Sequence, residues 1–189
     1  MKISKNIKAA TPTFQWVAKK KSATLMKGAK DLLSIEFGKK GKSSFELDNT
    51  TYKVRNKGFW HPKTVIESKD KTIVTLDRNF SGNKASVVFE NGKVYECRIQ
   101  NSPSSKLTFY KSDGKAIITQ QINSNEKKAT PLKLDYRQIP GTDLIYLLVL
   151  GQFSSYGLAK ENGKVKKLEV KPKAAAYGKP KTSARRKGK

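Results

Sequence analysis

The turn-forming residues of this chain recur at a regular spacing, and that spacing limits the fold more than any single motif. The first series follows short β-rich runs and consists of Leu47-Asp48-Asn49, Lys69-Asp70-Lys71, Glu90-Asn91-Gly92-Lys93 and Ser112-Asp113-Gly114-Lys115. It repeats about every 22 residues. A second series lies halfway between, at Asn56, Asn79, Asn101 and Asn123. Together the two series place a turn about every eleven residues, which is the length of one strand plus one turn. This spacing predicts a long antiparallel meander.

The hairpin at Glu90-Asn91-Gly92 fixes its own register. With a three-residue loop and a left-handed Gly92, Val87 lies opposite Tyr95 and the apolar side chains meet on one face. Ala85 and Cys97 form the next pair on that face. A two-residue loop would instead set apolar against polar partners, so we reject it.

The same loop at Ser112-Asp113-Gly114 predicts the register of the next hairpin. It sets Phe109 opposite Ile117 and Leu107 opposite Thr119. Earlier strands are predicted around Phe45 and Leu47, around Tyr52 and Val54, around Val65 and Ile66, and over 72–76. Residues 22–33 fit a helical face, although 33–37 also suit a strand.

The size of the chain predicts a single domain. With 189 residues and 36% hydrophobic content, it can bury one core. We expect a basic N-terminal segment at 1–21, one β-rich barrel-like domain at 22–170 and a tail at 171–189. Tyr177 is the only large apolar residue of the tail, so the tail is predicted to be disordered.

The basic charge is extreme and is spread along the chain. The formal net charge is +25, and residues 1–30 and 171–189 each contain eight basic residues and no acidic one. Such charge repels itself and disfavours a compact state unless a polyanion compensates it. Nucleic acid and an anionic membrane surface are the candidate partners, and a merely solubilising excess of Lys is the alternative.

Residues 144–150 interrupt the β pattern with the sequence Leu-Ile-Tyr-Leu-Leu-Val-Leu. Pro140-Gly141-Thr142-Asp143 supplies a turn and an N-cap, and Gly157 a C-cap, so we predict a helix near 143–157. Its apolar residues point all round, which is typical of a helix enclosed by other structure. A buried strand pair bent at Gly151 is an alternative. A membrane span is another, but it needs about 20 apolar residues and Gln152 interrupts this run.

The order of these elements is similar to a known family. Hairpin repeats through Ile122, a strand at Leu132-Lys133-Leu134-Asp135-Tyr136 and then the apolar helix resemble the tubby-like group, which includes the phospholipid scramblases and the LURP-one-related proteins. The resemblance covers roughly residues 44–159 and lies in order and pattern, so it transfers no functional residues. It implies a mainly β fold, an antiparallel meander curved into a barrel around or against one helix. It also implies a non-enzymatic barrel that binds phosphoinositides or other membrane phospholipids on a basic outer surface.

Residues for catalysis are scarce. His61 is the single histidine and cannot form a zinc pair, and the lone Cys97 is expected as a small buried hydrophobe. Gly82, Gly92 and Gly114 stand singly in turns and form no phosphate-binding loop. We expect no enzyme activity, metal, cofactor or small-molecule substrate. No apolar stretch follows the charges of residues 1–10, so a cytoplasmic location without a transmembrane span is expected.

One aromatic cluster, Phe59-Trp60-His61-Pro62, lies among basic residues. Rings beside cations can stack on bases or anchor at a bilayer interface. The alternative, which the sequence favours, is that Phe59 and Trp60 plug one end of the barrel.

The function predicted from the sequence is a non-catalytic module that docks on polyanionic surfaces with little sequence specificity. Nucleic acid is slightly favoured, because three regions share the charge. A tubby-like barrel on anionic phospholipids and an assembly protein with a basic arm are the alternatives. The candidate polyanion contacts are Lys19, Lys20, Lys21, Arg55, Lys57, Trp60, Lys63, Lys179, Lys181, Arg185, Arg186 and Lys187.

Overall fold

The computed structural model describes residues 13–38, 42–100, 105–122, 129–135 and 139–169. It contains twelve strands followed by one helix. The strands are β1 Phe14–Lys19, β2 Ser22–Lys27, β3 Lys30–Phe37, β4 Lys42–Leu47, β5 Thr50–Lys57, β6 Lys63–Ser68, β7 Lys71–Arg78, β8 Lys84–Phe89, β9 Val94–Gln100, β10 Lys106–Tyr110, β11 Ala116–Gln121 and β12 Thr130–Leu134. The helix is α1 Gly141–Glu169.

The strands form a closed antiparallel barrel, which confirms the predicted fold class. Each strand pairs with its neighbours in sequence, and β1 closes the barrel by pairing with β12. Phe14 lies opposite Leu132, and Trp16 lies opposite Thr130. Every described strand therefore has a paired neighbour on both sides, and none is an edge strand.

The turns at one end of the barrel match the predicted series. Asp48-Asn49 and Lys69-Asp70 each have two residues with positive φ, as in the tight turns whose twist fits a hairpin. Gly92 also has a positive φ, and Val87 lies opposite Tyr95, so the register predicted for this hairpin is confirmed. We call this end the turn end.

The register predicted for the hairpin of β10 and β11 is wrong by one residue. Phe109 lies opposite Ile118, and Leu107 lies opposite Gln120, because the register shifts between Phe109 and Tyr110. Ile117 is the extra residue of this bulge. Ile117 and Ile118 are both buried, which strict alternation does not allow but a bulge does.

The apolar part of the helix α1, residues 144–156, lies inside the barrel. Leu147, Val149 and Leu150 have no exposed surface, although they point in different directions around the helix. Rings from the neighbouring strands β3 and β4 reach it, since Phe37 stacks on Tyr156 and Phe45 meets Tyr146 edge-on. The predicted helix and its enclosure are therefore confirmed, and the bent strand pair is wrong. The predicted C-cap at Gly157 is also wrong, because the helix continues to Glu169.

Polar contacts also hold the helix in its position. At the turn end, Lys93 Nζ donates a hydrogen bond of 2.9 Å to Asp143 Oδ2 in the first helical turn. Deeper inside, Gln120 Nε2 donates to Gln152 Oε1 at 2.7 Å. Because a buried amide without a partner is costly, this pair disfavours sliding of the helix along the barrel axis.

The N-terminal part of the chain differs from the expectation. The helix predicted at 22–33 is wrong, since β2 and β3 occupy this region and Gly28 turns between them with a φ of 61°. In β3, Leu33, Ile35 and Phe37 are buried in alternation. The barrel also begins earlier than residue 22, since β1 lies within the segment 1–21. The predicted tail at 171–189 lies outside the described residues.

Candidate functional site

Toward the end opposite the turn end, the inward-facing wall of the barrel changes from apolar to polar. Inward positions alternate along a strand, so each step of two residues moves one layer along the wall. Three neighbouring strands repeat the change, from Val54 to Asn56, from Ile66 to Thr64 and from Leu76 to Arg78. Thr64 Oγ1 donates a hydrogen bond of 2.8 Å to Asn56 Oδ1, so part of this layer is already paired.

A cavity of about 920 Å³ opens at this end, where α1 approaches the rim. We call it the mouth cavity. One side of it is apolar and includes Phe37, Phe153 and Tyr156. The rings of Phe37 and Tyr156 stack with their centroids 3.8 Å apart and their planes 5° apart. The cavity therefore has an apolar side provided by the helix and a polar wall provided by the strands.

The charged residues that line the mouth cavity are all cations in the described part of the chain. They are Lys20, Lys21, Lys42, Arg78 and Lys160. None of them is within ion-pair distance of a described carboxylate. Elsewhere on the barrel such pairs are common, for example Lys63 with Asp77 at 2.7 Å and Arg98 with Glu96 at 2.7 Å. The mouth cavity is thus a concentrated positive site.

Two neighbouring loops beside the mouth cavity expose three aromatic side chains. Phe59 and Trp60, between β5 and β6, are 88% and 86% exposed, and Phe80, between β7 and β8, is 99% exposed. Trp60 and Phe80 also line the cavity. The prediction that Phe59 and Trp60 plug the barrel is therefore wrong. We call this end of the barrel the aromatic end.

The loop that presents Phe80 is held by Asn79. The Asn79 side chain accepts a hydrogen bond of 3.1 Å from the Lys84 backbone N–H and donates one of 2.9 Å to Ser81 Oγ. Its backbone N–H donates to the Lys84 carbonyl at 2.9 Å. Because the polar residues of the loop hydrogen-bond to one another, Phe80 lies exposed at the tip of the loop.

The loop that presents Phe59 and Trp60 depends on Gly58. Gly58 has a φ of 92°, and a Cβ at this position would approach the His61 carbonyl oxygen to 3.0 Å. A residue with a side chain would therefore strain the turn. Phe59 and Trp60 meet edge-on with ring centroids 5.4 Å apart, so each ring restricts the other.

Only some of the predicted contact residues meet at this site. Lys20, Lys21 and Trp60 line the mouth cavity, and Lys19 ends β1 beside them. The other three described candidates, Arg55, Lys57 and Lys63, are paired with carboxylates on the strands. Lys179, Lys181, Arg185, Arg186 and Lys187 lie outside the described residues.

Glu67 neutralises two of those candidates. It is buried between β5 and β7, accepts a hydrogen bond of 2.7 Å from Arg55 Nε and pairs with Lys57. Burial acts to raise the pKa of Glu67, but the hydrogen bonds and charges of Lys57 and Arg55 prevail and hold that pKa below its usual range. Arg55 and Lys57 thus offer less net charge to a partner than the cations of the mouth cavity.

Sequence reasoning missed several residues of the site. Phe80, Arg78, Lys42, Lys160 and Ser154 were not among the candidates, yet all line the mouth cavity. A signal for Phe80 was present, because a large aromatic residue within the polar run Asn79-Phe80-Ser81-Gly82-Asn83 has no apolar neighbours to pack on. Arg78 could have been found from its parity with Leu76 in β7.

Other chemistry receives little support within the described ranges. No group of three His, Cys, Asp or Glu side chains there is close enough to hold a metal ion. Cys97 is buried as predicted, and burial raises the pKa of its thiol to about 12, so it is inert as a nucleophile near neutral pH. Among the helical residues that are described, no segment is long and apolar enough to cross a membrane.

Comparisons with protein-family models, with curated proteins and with solved structures gave no match.

Proposed function

We propose that this protein is a non-catalytic β-barrel module that docks on anionic membrane surfaces through its aromatic end. The observation that carries the proposal is the exposure of Phe59, Trp60 and Phe80 on neighbouring loops beside cations that pair with no described carboxylate. Large exposed apolar side chains that cluster on one surface mark an interaction site. The proposal agrees with what the tubby-like resemblance implies, but it rests on these rings.

Insertion of the aromatic rings and attraction of the nearby cations to anionic lipids both favour binding to a bilayer. Removing a Phe side chain from water is worth about 1.5–3 kcal/mol. Each Lys or Arg near an anionic bilayer adds about 1 kcal/mol. Rings that enter the headgroup region would bring Lys20, Lys21 and Lys42 to the lipid surface, so the apolar and electrostatic terms operate together.

The surroundings of Phe80 favour a bilayer over a nucleic acid. A ring that stacks on bases is most effective when the protein fixes its plane, since ordering a free side chain costs entropy. Phe80 is 99% exposed, so neighbouring side chains provide almost no support for its plane. Insertion into a fluid bilayer requires no fixed plane and therefore no such support.

Cosedimentation with vesicles tests the proposal. The full chain should sediment with vesicles that contain phosphatidylserine, less so with phosphatidylcholine alone, and binding should weaken at 0.5 M salt because charges are screened. The triple variant F59S/W60S/F80S should lose at least about tenfold in partitioning, given the apolar transfer energies. The matched control L32S/V88S/V94S removes three exposed apolar residues elsewhere on the barrel and should bind normally. Equal losses in both variants would contradict the proposal.

Nucleic acid is the second candidate, and the juxtaposition of Trp60 with cations is the observation that favours it. Stacking on bases needs a π face, whereas insertion into a bilayer needs only apolar surface. The variant F59L/W60L/F80L keeps the apolar surface and removes the π faces. Retained vesicle binding in that variant supports membrane docking. Binding of the parent to single-stranded RNA or DNA but not to anionic vesicles, with loss in the leucine variant, would instead make nucleic acid the partner.

A further inference from the structure

The mouth cavity lies directly beneath the exposed rings of the aromatic end. Trp60 and Phe80 belong both to its lining and to the exposed surface. The polar layer formed by Asn56, Thr64 and Arg78 lies on the inward-facing wall below them. A ligand that enters from a docked bilayer therefore passes the aromatic rings first and reaches the polar and cationic groups afterwards.

A buried hydroxyl in the lining has no hydrogen-bond partner among the described residues. Ser154 is 2% exposed and lines the cavity, and its Oγ makes no hydrogen bond with any described residue. Buried polar groups are nearly always paired, and an unpaired one destabilises the fold. A ligand oxygen at this place would supply the missing partner, so Ser154 is an observation independent of the charges.

We propose that the mouth cavity binds the phosphate-monoester headgroup of a phospholipid, with the phosphate inward and the acyl chains directed toward Trp60 and Phe80. The proposal deepens the docking function proposed above, on which it rests for the source of the lipid. The volume of the mouth cavity, about 920 Å³, exceeds what a lone phosphate fills and falls within the range of pockets for whole organic ligands.

The charge of the site favours a monoester over a diester. A phosphate monoester carries up to two negative charges and three terminal oxygens, whereas the diester of a zwitterionic lipid carries one charge. Five cations that pair with no described carboxylate line the cavity. Arg78 can bind two phosphate oxygens with its planar fork. The second charge and the third oxygen of a monoester thus find donors that a diester would leave unused.

Calorimetric titration of the full chain with soluble short-chain lipids tests the inference without a bilayer. Dihexanoyl phosphatidic acid, kept below its micellar concentration, should bind. Dihexanoyl phosphatidylcholine has the same chains and a zwitterionic diester head, and sn-glycerol 3-phosphate has the same phosphate and no chains. Both should bind at least about tenfold more weakly, because each lacks one of the two kinds of contact. Equal binding of glycerol 3-phosphate would mean that the ligand is a free phosphate ester and would overturn the lipid assignment.

Two variants locate the binding. Arg78→Gln should weaken binding of dihexanoyl phosphatidic acid about tenfold or more, since a charged hydrogen-bonding group is lost. Ser154→Ala should weaken it about threefold while leaving the unliganded protein at least as stable as the parent, because the unpaired hydroxyl is gone. Lys71→Gln, at the turn end, is the control and should bind normally. Unchanged affinity in both site variants would overturn the inference.

The two proposals fail in different ways. If the short-chain phosphatidic acid binds and Arg78→Gln weakens it, the headgroup site stands even when the protein does not sediment with vesicles, and only membrane docking is overturned. If vesicles sediment the protein but both short-chain lipids bind equally, docking stands and the headgroup site is overturned.

Discussion

The Tyr95 hydroxyl donates a hydrogen bond of 3.1 Å to Asp143 Oδ2 and so joins the start of β9 to the first turn of α1. Asp143 is buried and also forms an ion pair with the ammonium group of Lys93. A carboxylate in the first turn of a helix is further stabilised by the helix dipole. This contact fixes the helix at the turn end of the barrel.

Removal of the Tyr95 hydroxyl should destabilise the fold. Tyr95→Phe leaves one oxygen of a buried carboxylate with fewer donors, and we expect the free energy of unfolding to fall by about 1–2 kcal/mol in urea denaturation at pH 7. Tyr110→Phe is the control. It also removes a tyrosine hydroxyl but keeps the ring, which stacks under Arg98 on the barrel surface, so its stability should stay close to that of the parent. If both variants were equally stable, the contact would contribute nothing.

The same tyrosine should affect stability at alkaline pH. Burial, followed by the charge and hydrogen bond of Asp143, raises the pKa of Tyr95 to about 12, against about 10 for an unfolded tyrosine. The contribution of Tyr95 is therefore complete below about pH 10 and is lost as the pH rises toward 12. The difference in unfolding free energy between the parent and Tyr95→Phe should shrink between about pH 10 and 11.5, and a constant difference would contradict this assignment.

Gly151 and Gly157 in α1 should respond oppositely to alanine. A Cβ on Gly151 would lie 3.1 Å from Gln120 Oε1 and 3.2 Å from Phe109 Cε2, whereas one on Gly157 would meet nothing within 4 Å. Gly157→Ala should gain up to about 1 kcal/mol from helix propensity. Gly151→Ala has the same gain in helix propensity, but crowding of the new methyl group against the barrel wall should cost about 1–3 kcal/mol. This variant should therefore be less stable than the parent. Chemical denaturation of both variants measures the difference, and equal stabilisation would show that the wall yields.

A charge inside the barrel should abolish the fold. Leu147 has no exposed surface, so Leu147→Asp buries an unpaired carboxylate at a cost of several kcal/mol. Circular dichroism should show loss of the cooperative thermal transition. Leu32→Asp introduces the same change on the outer surface, where Leu32 is 44% exposed. This control variant should keep the cooperative thermal transition. Near-native melting of Leu147→Asp would mean that α1 leaves the barrel.

Lys69 offers a stabilising substitution. It has a φ of 47° in the turn between β6 and β7, a conformation that asparagine adopts more readily than lysine. Lys69→Asn should raise the free energy of unfolding by about 0.5–1 kcal/mol, part of the cost of a left-handed conformation. Lys53→Asn lies in β5, where φ is not positive, and should not stabilise. A gain in both variants would indicate that reduced charge repulsion is the cause.

The strands and most turns could be predicted because their chemistry is local. Gly92 and Asp70 terminate strands through their own backbone preferences, whatever the rest of the chain does. Residues 22–27 are different, since Ala23, Leu25 and Met26 fit a helical face as well as a strand. Their pairing with β1 and β3 decides the outcome, and such contacts between distant parts of the chain override propensity.

The candidate site was harder to predict because its main residues break the rule that buries apolar side chains. A pattern that counts aromatic residues as core assigns Phe59 and Trp60 to a plug and gives Phe80 no role. Their exposure depends on backbone geometry at Gly58 and on the side-chain contacts of Asn79, which no periodicity records. The bulge at Ile117 was missed for a related reason, since an inserted residue changes the register without changing composition.

The position of α1 in the chain determines when the barrel can be completed during synthesis. The twelve described strands leave the ribosome before the helix does, so inward-facing residues such as Ile66 and Phe109 have nothing to pack against inside the barrel until residues 144–156 have emerged. Until then the nascent sheet exposes an apolar face, which is the kind of surface that chaperones protect. The helix that follows the strands thus fills the core, and a nascent chain that stalls before residue 141 cannot yet bury the inside of its own barrel.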